Sequence, residues 1–140
     1  MTIKEIQAEI IDEFSLFDDW MERYEYIIDL GKSLPLINSE NKLDENLIKG
    51  CQSKVWLHSD FQNDTLILTA DSDAILTKGI VALLLRVYTN QNPKDIMESD
   101  TEFINEIGLK EHLSPTRANG LVSMIKKIKL YALGYQSKLT

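Results

Sequence analysis

One stretch constrains this chain more than any other. From Ala74 to about Tyr88 the spacing predicts a helix, and Ile75, Leu76, Ile80, Val81, Leu83, Leu84, Leu85 and Val87 surround it almost completely. A helix that is apolar on all sides has no face to offer water, so it must lie at the centre of its fold. Asp71, Ser72 and Asp73 precede it and read as its N-terminal cap. Lys78 and Arg86 are its polar exits. Gly79, in mid-helix, costs about 1 kcal/mol of helix propensity relative to alanine, which marks a close crossing with another element.

The rest of the chain has to cover that helix. Thr2 and Glu5 form a capping box ahead of a helix whose apolar face is Ile3, Ile6, Ile10 and Phe14. Asp18 or Asp19 starts a second helix with Trp20, Tyr24, Ile27 and Ile28 as its stripe, and Gly31 reads as its C-terminal stop. From Lys32 to Lys49 the periodicity fails; a long loop is predicted, pinned by Leu34, Leu43, Leu47 and Ile48. Ser53 to His58 and Thr65 to Ala70 read as strands, with a turn at Asp60 to Asp64, and a short connection pairs them antiparallel. Two strands alone are marginal, so a third short one or a helix should pack on them.

Beyond the central helix, Asn92-Pro93 starts a short helix through Lys94 to Glu98, and Thr101 to Ile107 forms another, closed by Gly108. Ser114 as N-cap and Pro115 at the first helical position open the last helix. Its buried face is Leu121, Ile125, Ile128 and Ala132, and Lys126, Lys127 and Lys129 keep the other side wet. The expected fold is α+β: a small antiparallel sheet flanked by N-terminal and C-terminal helices, in a single domain over residues 1–140.

Charge narrows the function. A formal net charge of −7 argues against nucleic acid or an anionic membrane as partner, since both want basic patches. The longest apolar run, Ile80 to Leu85, is too short to span a bilayer, and no secretory signal is visible at the N-terminus. A cytoplasmic protein is the expectation.

The chemistry concentrates in Gly50-Cys51-Gln52-Ser53-Lys54-Val55-Trp56-Leu57. Gly50 allows a sharp turn, and the strand-like run behind it would present Cys51 at a loop tip. An unpaired cysteine is commonly a small buried hydrophobe, and reactivity needs a lowered pKa and access. A single cysteine also excludes an internal disulfide, a CxxC redox pair and any zinc site of several thiolates. With His58 and His112 the only histidines, no metal site is expected. A reactive Cys51 would have to be resolved by another molecule, which favours a carrier. Arg117, three residues into the last helix, puts a positive charge at the positive end of the helix dipole, a cost of tenths of a kcal/mol.

Three blocks resemble one family. Gly50-Cys51-Gln52-Ser53-x-Val55-Trp56-Leu57 is similar to the signature of SufE-type sulfur-acceptor proteins. Asp71-Ser72-Asp73-Ala74-x-x-x-Lys78-Gly79 resembles that family's second block, and Leu109-x-x-His112-Leu113-Ser114-Pro115-Thr116-Arg117-x-Asn119-Gly120-Leu121 its third. Leu34-Pro35 sits where the family has its proline.

The resemblance implies a SufE/IscU-like fold and a sulfur relay. A SufS-type cysteine desulfurase, carrying pyridoxal phosphate, would hold sulfur as a persulfide. Cys51 would take it, stimulate the desulfurase, and pass the sulfur to a SufBCD-type iron–sulfur scaffold. This chain itself would bind no cofactor, and would be a monomer or a homodimer. Gly50, Gln52, Ser53, Asp73 and Arg117 would form the loop and its partner-binding surround, with Arg117 holding the loop by carbonyl bonds or favouring a sulfur anion. Cys51 would be sheltered and modestly reactive until docking. The alternative is a thiol enzyme using Cys51 as nucleophile with His58 or His112 as base.

Overall fold

The computed structural model describes residues 1–48 and 53–139. Two strands, β1 (Val55–Gln62) and β2 (Thr65–Ser72), form an antiparallel hairpin in which Val55 faces Ser72 and Gln62 faces Thr65. Both strands run further than the sequence predicts, because the alternation continues through Ser59 and Phe61 and through Ser72. The turn shrinks to Asn63 and Asp64, at φ 52° and 63°. Two successive positive φ angles make the hairpin turn whose twist matches the strands, and Asn and Asp tolerate that region best after glycine.

Val55, Leu57, Leu66, Leu68 and Ala70 are buried on one face of the hairpin. Against them packs α3 (Ile75–Tyr88), buried without interruption from Gly79 to Leu85 and again at Val87 and Tyr88. Its first turn is the exception, with Ile75 70% exposed. Residues Asp71 to Asp73 do not cap it. Asp71 and Ser72 continue β2, Ala74 takes the N-cap position, and no side chain caps there. The strand prevails over the cap because Lys54 offers its own backbone to Asp73 across the hairpin.

On its other side α3 meets α1 (Ile3–Phe14) and α2 (Trp20–Leu30). The capping box of Thr2 and Glu5 forms as read, and Asp19 caps α2. Gly79 marks the predicted crossing: a Cβ there would lie 2.0 Å from the Ile27 carbonyl oxygen. Gly31 serves the same crossing and not a left-handed stop. Its φ is −60°, the chain continues as a 3-10 turn over Gly31–Ser33, and an added Cβ would come 3.1 Å from the Gly79 nitrogen.

The chain closes with α4 (Pro93–Glu98), α5 (Glu102–Glu106) and α6 (Pro115–Leu139), with Gly108 at φ +73° between the last two. Among the described residues no helix is long and apolar enough to cross a membrane.

The hairpin is completed by irregular backbone along both edges. On the β2 side, Ala70 donates its N–H to Pro35 and accepts from Ile37, Leu68 N–H donates to the Thr89 hydroxyl, and Leu66 pairs with Asn90 and Gln91. On the β1 side, Val55 accepts from Ile48, Leu57 from the Tyr131 hydroxyl and Ser59 from the Tyr135 hydroxyl. Residues 35–48 therefore run as a strap from one edge to the other. Leu34, Ile37 and Ile48 pin it; Leu43, 46% exposed, does not. Lys42 ties it further, bonded to Asp71 at 2.7 Å and lying over the Trp56 ring.

Arg86, the polar exit of α3, binds Glu9 at 2.5 Å and Glu13 of α1, and Tyr26 also donates to Glu13. The Arg86 hydrogen bond holds the Glu13 carboxyl below its ordinary pKa, against a smaller opposing effect of burial. A depressed carboxyl stabilises the fold above the ordinary value, about 4.3, and that contribution fades as the pH falls through the folded value. Glu13→Gln should therefore cost about 1 kcal/mol at neutral pH, and its melting curve should converge on wild type in acid. A gap that persists unchanged at pH 3 would contradict this origin.

Candidate functional site

Two anchors bracket the stretch that carries Cys51. Before it, Ile48 N–H donates to the Val55 carbonyl at 2.8 Å. After it, Lys54 N–H donates to the Asp73 carboxylate at 3.0 Å, and Asp73 N–H donates back to the Lys54 carbonyl at 3.2 Å. Gly50, Cys51 and Gln52 themselves lie outside the described residues, as do the expectations of a sheltered thiol and a loop tip at that position. What the structure places is their surround.

Ser53 is half-buried, and its hydroxyl donates to the Thr77 hydroxyl of α3 at 3.1 Å. Beside this pair lies a cavity of about 20 Å³, room for roughly one water-sized atom. Arg117, Leu121 and Met124 of α6 wall it on one side, Ile80 and Val81 of α3 on another. Ser114 caps α6 as read, accepting from the Arg117 N–H at 3.3 Å. The Arg117 side chain is half-buried, and among the described residues its Nε has no hydrogen-bond partner. Two of the sequence candidates, Ser53 and Arg117, thus line one cavity though 64 positions separate them. Asp73 contributes from the neighbouring turn, exposed and bonded to Lys54.

Thr77 is the residue that sequence reading missed. Its signal was present, a lone hydroxyl in an otherwise apolar helix face, two residues before the constrained Gly79. Asp71, in β2, lies two residues before Asp73. Burial disfavours its charge, but the Lys42 bond, the Ser72 N–H and the nearby Lys78 outweigh that and hold its carboxyl below the ordinary range.

The arrangement offers one guanidinium, two hydroxyls engaged with each other and a mostly apolar wall. The guanidinium favours an anion beside it, while the apolar wall limits water and disfavours charge. Among the described residues no cluster of His, Cys, Asp and Glu could hold a metal. The histidines are occupied elsewhere: His112 stacks on Trp20 with ring centroids 3.7 Å apart and bonds the Gly108 carbonyl, while His58 pairs with Asp60 at 3.5 Å. Neither lines the cavity.

Comparison with known proteins adds three findings. The family model described as SufE, Fe-S metabolism associated domain, matches residues 8–132. Uncharacterized SufE-like proteins of Rhizobium meliloti (strain 1021) and Synechocystis sp. are 41% and 35% identical to this chain. The alignments cover 90% and 92% of this chain, and 94% and 81% of those proteins. The solution structure of a hypothetical protein from Thermus thermophilus has the same fold, with a TM-score of 0.79 over 94% of this chain and 96% of that one, at 17% identity.

Proposed function

The chain belongs to the SufE family, and from that premise we propose that it is a sulfur acceptor and carrier serving iron–sulfur metabolism. The Cys51 thiolate attacks the outer sulfur of a persulfide held by a cysteine desulfurase. The sulfur–sulfur bond of that persulfide breaks, the desulfurase cysteine leaves as a thiolate, and a new sulfur–sulfur bond forms on Cys51. No oxidant is consumed. The Cys51 persulfide then gives up its outer sulfur to a scaffold of the SufBCD type. The desulfurase supplies pyridoxal phosphate, and the exchange takes place in the cytoplasm.

The observation that carries this reading is the cysteine count within the matched family span. With Cys51 alone, the chain can accept a sulfur but cannot resolve the product internally, so a second protein must supply it and a third must remove it. An ordinary thiol is only a few per cent ionised at neutral pH, and Arg117, which lines the same cavity as Ser53, is the group that would raise that fraction. A histidine base finds no support, since both rings are engaged away from the cavity. The test is direct: incubated with a SufS-type desulfurase, pyridoxal phosphate and free cysteine, the protein should become one sulfur atom heavier, and a thiol reductant should reverse the gain. A protein that stays unmodified at full desulfurase turnover is not a carrier.

Arg117 has its own expected result. Arg117→Ala should slow persulfide formation roughly 10-fold, the scale of one charge-assisted bond, without abolishing it. The pH at which transfer reaches half its maximum should rise, and Arg117→Lys should restore part of both. An unchanged pH profile would reduce Arg117 to packing.

A further inference from the structure

The exposed face of α6 is at odds with the rest of the molecule. In a chain of net charge −7, this helix carries Arg117, Lys126, Lys127, Lys129 and Lys138 and no acidic residue. Among the described residues, none of the four lysines pairs with a carboxylate. Three of them are nonetheless held in place. Lys129 donates to the Ser99 carbonyl at 2.7 Å, and Lys127 and Lys138 lie over the rings of Tyr131 and Tyr135. At their centre Leu130 is 60% exposed, with Leu133 at 47% one turn further along and Met97 of α4 beside them. Leu130 borders three depressions at once: one towards Leu47 and Ile48, one towards Met97, and one towards His58 and Tyr135.

We propose that this face is a docking surface for an acidic amphipathic helix of a partner protein. Apolar anchors at helical spacing would seat on Leu130 and Leu133, and flanking carboxylates would meet the lysine ring, the helix-in-groove mode of recognition. From Ser123 to Lys138 the face is about 22 Å long, four turns of such a helix. A second copy of this chain fits badly, because a two-fold contact would set the lysine ring against itself. An anionic bilayer fits badly as well, since it would meet the molecule as a whole, which is negative, whereas a single helix can keep its carboxylates on the lysine side of the depression, away from Asp44 and Glu45 on the far wall. This surface goes beyond the sulfur-carrier reading and would stand even if Cys51 were inert.

The test uses the full chain, isotope-labelled, and a synthetic peptide with leucines at i, i+3, i+4 and i+7 and glutamates elsewhere. A peptide with lysines in place of the glutamates, and phosphatidylglycerol vesicles, serve as comparisons. The acidic peptide should shift the backbone resonances of residues 123–138, and its affinity should fall about 10-fold from low to high salt. Lys126→Glu, and separately Leu130→Ser, should each weaken binding by a similar factor while leaving the melting temperature unchanged, because these two side chains are exposed. Equal binding of the lysine peptide, shifts confined to another face, or no shift at millimolar peptide would overturn the proposal. So would preferential binding to the vesicles, or self-association through the same residues.

Discussion

Cys51→Ser is expected to abolish the mass gain with a desulfurase and free cysteine, and with it any stimulation of the desulfurase that depends on accepting sulfur. The loss should be complete, because no second thiol in the chain can take over and a serine hydroxyl neither ionises near neutral pH nor attacks a persulfide. Fold and melting temperature should be unchanged. The measurement pairs intact-mass spectrometry with the rate of alanine release from cysteine by the desulfurase. Full stimulation by Cys51→Ser would mean that the chain acts on the desulfurase allosterically, and the relay would be wrong.

The second large effect is on stability. Gly79→Ala should destabilise the fold by at least about 3 kcal/mol, enough to lower the melting temperature by roughly 10 °C in a chain of this size. The sign is informative because local preference points the other way: alanine is favoured over glycine inside a helix by about 1 kcal/mol. The new methyl would sit 2.0 Å from the Ile27 carbonyl oxygen, which is backbone and cannot rotate aside, so α2 and α3 must separate. Gly31→Ala, with its nearest contact at 3.1 Å, should cost much less. Urea unfolding of the two variants settles it, and a Gly79→Ala protein as stable as wild type would mean that the crossing has room to spare.

Gly79 also shows what a sequence can disclose. An all-apolar helix interrupted by one glycine left little choice but burial at a tight crossing, and the two strands, the caps at Thr2, at Asp18 or Asp19 and at Ser114, and the α+β class were legible from equally local patterns. What was hidden was long-range. Gly31 does end α2, but not in the left-handed form a glycine stop takes, and nothing local could reveal that Gly79 lies against it. Asp71 to Asp73 looked like a cap because the competing partner, the backbone of Lys54, is supplied by the residue just before β1. Leu43 looked like an anchor of the loop, whereas the strap is fixed by Pro35 and Ile37 bonding Ala70. At the candidate site Ser53 and Arg117 were found through family resemblance, while Thr77 was passed over as one more residue of a buried helix. Their convergence on one cavity was beyond any local pattern.

The strap has a dynamic consequence. Its two ends bond opposite edges of the hairpin, at Ala70 and at Val55, so neither end can release without unpairing backbone groups at the core. Amide hydrogens at Ile37, Ile48 and Ala70 should therefore exchange with solvent as one cooperative unit, at a rate set by sub-global opening and not by fraying. Distant parts of the chain, from the strap to the tyrosines of α6, hold the same small sheet shut. Slow exchange at Ile48 would then report on the integrity of the whole clasp that positions Ser53 against α3.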